Sequence, residues 1–193
     1  MKSIAVFCGA SAGNNPVYVE MVQAFGKLLA EQNKRLIFGG GKVGLMGAIA
    51  DAVLANGGQA VGVIPKNLVA REVAHTGLTE MHTVETMHER KALMAELADG
   101  FVALPGGFGT FDEICEILTW NQLGIISKPC AFLNGNNFYN ALLQMFRTCV
   151  AEGFVKAERL ETIMFEEDSA ILLDKMRAYQ PLPTTKWMSM KQV

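Results

Sequence analysis

The sequence has no CxxC pair, no HxH or HExxH motif, no basic block and no apolar run near the roughly 20 residues that span a bilayer. Each absence removes a class of protein. The four cysteines (Cys8, Cys115, Cys130 and Cys149) lie far apart, three of them in apolar surroundings. Buried free thiols are therefore expected in preference to disulfides or a metal cage. The three histidines, His75, His82 and His88, show no metal-binding spacing, so no metal is expected. A net charge of −2 without clustered Lys and Arg argues against a nucleic-acid or anionic-membrane surface. The amino terminus, MKSIAVFCGAS, resembles a signal peptide only superficially. Its apolar run of about five residues is too short for a signal core and reads as a first β-strand, so a cytoplasmic location is expected.

What is present is apolar and patterned. Half of the 193 residues are hydrophobic and 19% are charged, enough for one domain with a sizeable core. Short β-branched or aromatic runs at 3–8, 35–38, 59–64, 80–84, 100–104, 129–133 and 162–166 predict strands. Between them, three- and four-residue apolar spacing predicts helices at 16–32, 43–56, 87–98, 109–124, 137–152 and 168–178. The strands are apolar throughout instead of alternating, which predicts a sheet covered on both faces. Repeated βα units of this kind predict a three-layer α/β fold with a doubly wound, mostly parallel sheet. No linker divides the chain, so residues 1–180 are expected to form a single domain, followed by a polar, Met-containing tail at 181–193.

Such sheets bind ligands beyond the carboxyl ends of their strands, which directs attention to three loops. The loop at 38–47, FGGGKVGLMG, contains a formal GxGxxG in Gly39, Gly41 and Gly44. The acidic residue that would hold a dinucleotide ribose about 20 positions on is missing, so a nicotinamide cofactor is not expected. The glycines either let strand and helix approach closely or line a smaller nucleotide's pocket, with Gly40 as the contact in that second case. The loop at 8–16, CGASAGNNP, offers Ser11 directly after the first strand. Asn14 or Asn15 there can also cap a helix starting near Pro16.

The loop at 104–110, LPGGFGT, is the most specific of the three. Gly106, Gly107 and Gly109 let successive backbone N–H groups point into one concavity, at the positive end of the helix that follows. Thr110 adds a hydroxyl. The Lys of a triphosphate-binding GxxxxGK[ST] loop is missing, so a single phosphate suits this cradle better. Asp112 and Glu113 follow within the expected first turn, where acidic residues ordinarily complement the helix dipole. Glu113, a second carboxylate beside a phosphate cradle, also suits a ribose. Upstream, Glu89, Arg90 and Lys91 crowd the start of the 87–98 helix. Cations there oppose the dipole, so they form either a solvated charged face or a site for phosphate or developing charge.

The segments PGGFGTFDE (105–113) and MHERK (87–91) together resemble the LONELY GUY family of cytokinin-activating phosphoribohydrolases, which also carries the label lysine decarboxylase. That family's PGGxGTxxE signature matches at Pro105, Gly106, Gly107, Gly109, Thr110 and Glu113. Its upstream M-x-x-R-K segment matches at Met87, Arg90 and Lys91. GGGKVGLMG (39–47) and TWNQLGI (119–125) are also similar to the family. The resemblance implies a Rossmann-like fold and a homodimer with sites near the subunit interface. It implies hydrolysis of the N-glycosidic bond of an N6-modified adenosine 5′-monophosphate, or of AMP, with no cofactor. By position, Gly107, Gly109 and Thr110 would hold the 5′-phosphate. Ser11, Gly40, Lys91 and Gly106 would join them around the nucleotide, and Arg90 and Glu113 would be the catalytic pair. A non-catalytic carrier of a phosphorylated ligand, such as the molybdenum cofactor, is the alternative; it needs the cradle but not that pair. The decarboxylase label would require Lys91 to form a Schiff base.

Overall fold

The computed structural model describes residues 1–69 and 74–183. Seven strands form a single sheet in the order β4-β3-β2-β1-β5-β6-β7, and every neighbouring pair is parallel. They are β1 (Ser3–Phe7), β2 (Arg35–Phe38), β3 (Ala60–Pro65), β4 (Glu80–Val84), β5 (Gly100–Ala103), β6 (Cys130–Leu133) and β7 (Ile163–Glu166). The intervening helices are α1 (Val17–Glu31), α2 (Gly44–Ala55), α3 (Met87–Leu97), α4 (Phe108–Gln122), α5 (Asn140–Ala151), α6 (Ala157–Glu161) and α7 (Ser169–Arg177). All seven predicted strands and all six predicted helices are present. The five-residue α6 has too little periodicity to be visible in the sequence. Residues 184–193 of the expected tail lie outside the described residues.

The apolar central strands have their predicted cause, while the edge strand β4, EMHTV, is only partly covered. Ile4 and Val6 of β1 face a core built with α1, α2 and α7, where Phe25, Leu29, Ile49 and Leu172 are fully buried. Ala5 and Phe7 face the opposite core, against Met94 of α3 and Ile114 and Ile117 of α4. Burying such side chains contributes roughly 1.5–3 kcal/mol each, on both faces of the sheet. The helices that cover these faces are tied down locally. Thr86 accepts a hydrogen bond from the Glu89 N–H at 3.1 Å, while Glu89 accepts one from the Glu85 N–H at 2.9 Å, a reciprocal cap that begins α3. Asn15 caps α1, its Oδ1 accepting from the Val17 N–H at 3.1 Å.

The chain runs outward from β1 to β4, then returns to place β5 on the other side of β1. This reversal opens a crevice between the carboxyl ends of β1 and β5. Phe7 and Ala103 are register partners at those ends, so the two following loops leave side by side. The Gly9 N–H donates to the Pro105 carbonyl at 3.0 Å and the Leu45 N–H donates to the Gly9 carbonyl at 3.0 Å, drawing three loops together.

Candidate active site

The crevice is a cleft with two lobes. One, of about 270 Å³, lies among Cys8, Arg90, Gly107, Gly109, Thr110 and Glu113. The other, of about 300 Å³, is bounded by Ser11, Tyr18, Gly106 and Phe138. Gly9, Ala10 and Gly107 belong to both walls. Among the described residues a separate cavity of about 210 Å³ sits beside Leu118, Phe146, Ile163 and Tyr179, at the amino ends of β6 and β7 and with no carboxylate in its lining.

The three cradle glycines do different work. A Cβ on Gly106 would lie 2.1 Å from Thr110 Oγ1 and 2.9 Å from the Gly9 nitrogen, so that glycine is a packing requirement. A Cβ on Gly107 or Gly109 would meet nothing within 4 Å. Those two border open space, as a cradle for a ligand should. Gly107 caps α4, which starts at Phe108, one residue earlier than the sequence pattern suggests. Asp112 and Glu113 therefore fall beyond the first turn. Gly109 and Glu113 are four residues apart, on one face of α4, and both reach the first lobe. Tyr139 holds the chain where it leaves the carboxyl end of β5: its buried hydroxyl donates to the Leu104 carbonyl at 2.6 Å.

Arg90 is 4% exposed, an unusual setting for a guanidinium. Its Nη2 donates to the Gly39 carbonyl at 3.1 Å, and a Cβ on Gly39 would stand 1.9 Å from that nitrogen. The first glycine of the apparent dinucleotide fingerprint thus makes room for an arginine. Gly44 has φ +62°, and a Cβ there would lie 2.3 Å from the Ala10 carbonyl carbon. Gly44 thus serves close backbone approach, and Gly39 makes room for a side chain.

Two of the expected substrate contacts, Gly40 and Lys91, stand outside the lining of the two lobes. Gly40 packs toward β4 and β3, where a Cβ would meet Met81 Sδ at 3.1 Å and Gly62 Cα at 3.5 Å, and its carbonyl accepts from the His75 N–H at 2.9 Å. His75 in turn accepts from the Gly77 N–H at Nδ1, 3.1 Å away, leaving Nε2 to donate to Asp51 at 2.9 Å. Lys91 Nζ lies 2.7 Å from Glu116 and 3.2 Å from Asp112. Burial pulls its pKa down, but these two carboxylates outweigh burial and raise it above the ordinary lysine value. Ser11 does line the second lobe, although its hydroxyl is engaged locally by the Gly13 N–H at 3.3 Å.

The lining also includes residues that sequence reasoning did not single out for the site. Leu68 enters from a single 3₁₀ turn and Met87 from the start of α3. Of the apolar residues in the GGGKVGLMG and TWNQLGI segments, Met46 lines the first lobe. Trp120 and Leu123 belong to the core. Cys8 also borders this lobe, but burial first and the Glu113 charge second push its thiol well above the ordinary range. It stays protonated and is no nucleophile. Its one detectable signal in the sequence was its position at the end of the first strand.

Fold and crevice together define a doubly wound α/β protein with its ligand cleft at the topological switch point. Residues 46–176 match the model of a family described as possible lysine decarboxylase. The chain is 50% identical over 155 residues to a protein of Rhodococcoides fascians named cytokinin riboside 5′-monophosphate phosphoribohydrolase, covering 80% of this chain and 78% of that one. A protein of the same name from Arabidopsis thaliana is 44% identical over 180 residues, covering 93% of this chain and 84% of its own. The molybdenum cofactor carrier protein of Chlamydomonas reinhardtii shares the fold, with a TM-score of 0.70 at 19% identity, covering 92% of this chain and 98% of that one. The chain belongs to the cytokinin riboside 5′-monophosphate phosphoribohydrolase family, the LONELY GUY family of the sequence resemblance.

Proposed function

We propose that this protein hydrolyses the N-glycosidic bond of cytokinin-type, N6-modified adenosine 5′-monophosphates, and of AMP, to free base and ribose 5-phosphate. The observation that carries this reading is one lobe bounded by a glycine cradle at a helix N-terminus, a buried arginine and a carboxylate one turn into the same helix. The backbone N–H groups around Gly107 and Gly109, with the positive end of α4, take the 5′-phosphate. Thr110, which lines the same lobe and packs close to Gly106, adds its hydroxyl to that phosphate site. Cleaving the bond builds positive charge on the ribose, as in other glycoside hydrolyses. Glu113 is the residue we assign to that charge, to the ribose hydroxyls or to the attacking water. Arg90 favours the negative charge that develops on the departing base and helps keep Glu113 ionised. Met46, Leu68 and Met87 give the same lobe an apolar side suited to an N6 substituent.

The names of the relatives support this assignment, whereas the carrier reading rests on likeness of fold alone. A decarboxylase mechanism through Lys91 is disfavoured because a Schiff-base lysine needs a lowered pKa, and this one is raised by its two carboxylates. We also propose that the protein works as a cytoplasmic homodimer. Among the described residues no helix is long and apolar enough to cross a membrane. Incubating the pure protein with AMP and with isopentenyladenosine monophosphate, and separating the products by chromatography, tests the reading. Release of free base and ribose 5-phosphate supports it. No base released from any purine monophosphate overturns it.

A further inference from the structure

Arg90 and Glu113 sit on different helices, and their neighbours on each helix are joined by charge. Lys91, the residue after Arg90 on α3, reaches across to Glu116 on α4 at 2.7 Å and to Asp112 at 3.2 Å. Asp112 and Glu116 bracket Glu113 in sequence, one position before and three after. The lysine side chain is 10% exposed and that of Glu116 is 23% exposed, so this pair is far better shielded than an ordinary surface bridge. Without the ammonium, three carboxylates would crowd one stretch of α4, with Asp112 and Glu116 repelling at i,i+4 spacing.

We propose that Lys91 is a positioning residue, which with Glu116 clamps α3 to α4 and thereby sets the spacing of Arg90 and Glu113. This inference rests on the glycosidase reading above. It replaces a direct role for Lys91 in holding the substrate. The ammonium is already committed to two carboxylates and stands outside the lining of both lobes. A clamp of this kind affects turnover more than binding, because a misplacement of about 1 Å between reacting groups can cost up to a hundredfold in rate. The phosphate cradle, formed by α4 and the loop before it, stays intact when the clamp opens.

The test is a double-mutant cycle on Lys91→Met and Glu116→Gln, with kcat and KM for AMP or its prenylated form and a urea midpoint for each variant. Each single change is expected to lower kcat by roughly tenfold while KM moves less than about twofold. The double variant is expected to be no worse than the worse single one. The exchange Lys91→Glu with Glu116→Lys is expected to recover part of kcat. Lys91→Arg, which keeps the charge and tolerates burial, serves as the folded control. A raised KM in Lys91→Met with Glu116→Gln silent would make the ammonium a phosphate ligand and overturn the clamp. So would wild-type kcat in both single variants, or strictly additive losses. A wild-type protein that releases no base sinks the glycosidase reading and the clamp's catalytic role with it; an active wild type with unaffected variants sinks the clamp alone.

Discussion

Arg90 occupies the space that a side chain at residue 39 would need: its Nη2 lies 3.1 Å from the Gly39 carbonyl oxygen and 1.9 Å from where a Cβ would stand. The glycine and the arginine are 51 residues apart in sequence. Gly39→Ala should therefore displace the guanidinium although the substitution lies outside the catalytic pair. We expect a loss of about 2 kcal/mol in stability from the broken charged hydrogen bond, and a fall of at least about tenfold in kcat. Urea denaturation beside steady-state kinetics checks both. An alanine variant with wild-type turnover would show that Arg90 is not held through this contact.

The cradle glycines should separate stability from affinity. Gly106→Ala forces a Cβ against Thr110 and the Gly9 backbone, so it is expected to lower the melting temperature. Gly107→Ala and Gly109→Ala meet no protein atoms, and the latter lies within α4, where alanine gains up to about 1 kcal/mol over glycine. These two should leave the fold intact or firmer while filling the space meant for phosphate. Calorimetric titration with AMP is expected to show weakened binding in both. Unchanged affinity would move the phosphate away from this loop.

Glu113→Gln keeps the shape of the side chain and removes its charge. Turnover is expected to drop by about a hundredfold or more, the scale on which a single electrostatic contributor acts. AMP binding should persist, since the backbone cradle does not depend on the carboxylate. Full activity in this variant would exclude Glu113 from the chemistry.

A pH effect follows from Asp99, which lies outside the site. Burial alone would raise its pKa, but the Lys2 and Ser3 N–H groups donate to its carboxylate and the net value falls below the ordinary one. The carboxylate is thus bound more tightly in the folded chain than in the unfolded one. Its stabilisation is present above the unfolded value of about 3.9 and is lost as pH falls through the lower folded value. Comparing wild type with Asp99→Asn by urea midpoints, we expect a constant gap above about pH 5 that closes in stronger acid. A gap that persists into strong acid would contradict this assignment.

Much of the fold was legible because it is written locally. Val22, Phe25 and Leu29 recur at helical spacing, and β1 and β5 are apolar enough to require cover on both faces. The cradle was legible for the same reason: Pro105 to Glu113 places loop, helix start and carboxylate within nine consecutive residues. Short elements without periodicity, such as the turn carrying Leu68, were not legible.

Sequence alone determined the doubly wound architecture, the phosphate-suited loop and the family resemblance, since each depends on residue type at short spacing. Tertiary structure decided which glycines border open space and which merely admit a neighbour. It packed Gly40 against Met81 and Gly62 and gave Lys91 to Asp112 and Glu116. It also buried Arg90 beneath the 38–47 loop. These are contacts between segments far apart in the chain, brought within a few ångströms by the return of β5 to the side of β1. No local spacing encodes such distances; they follow from how the helices pack on the two faces of the sheet.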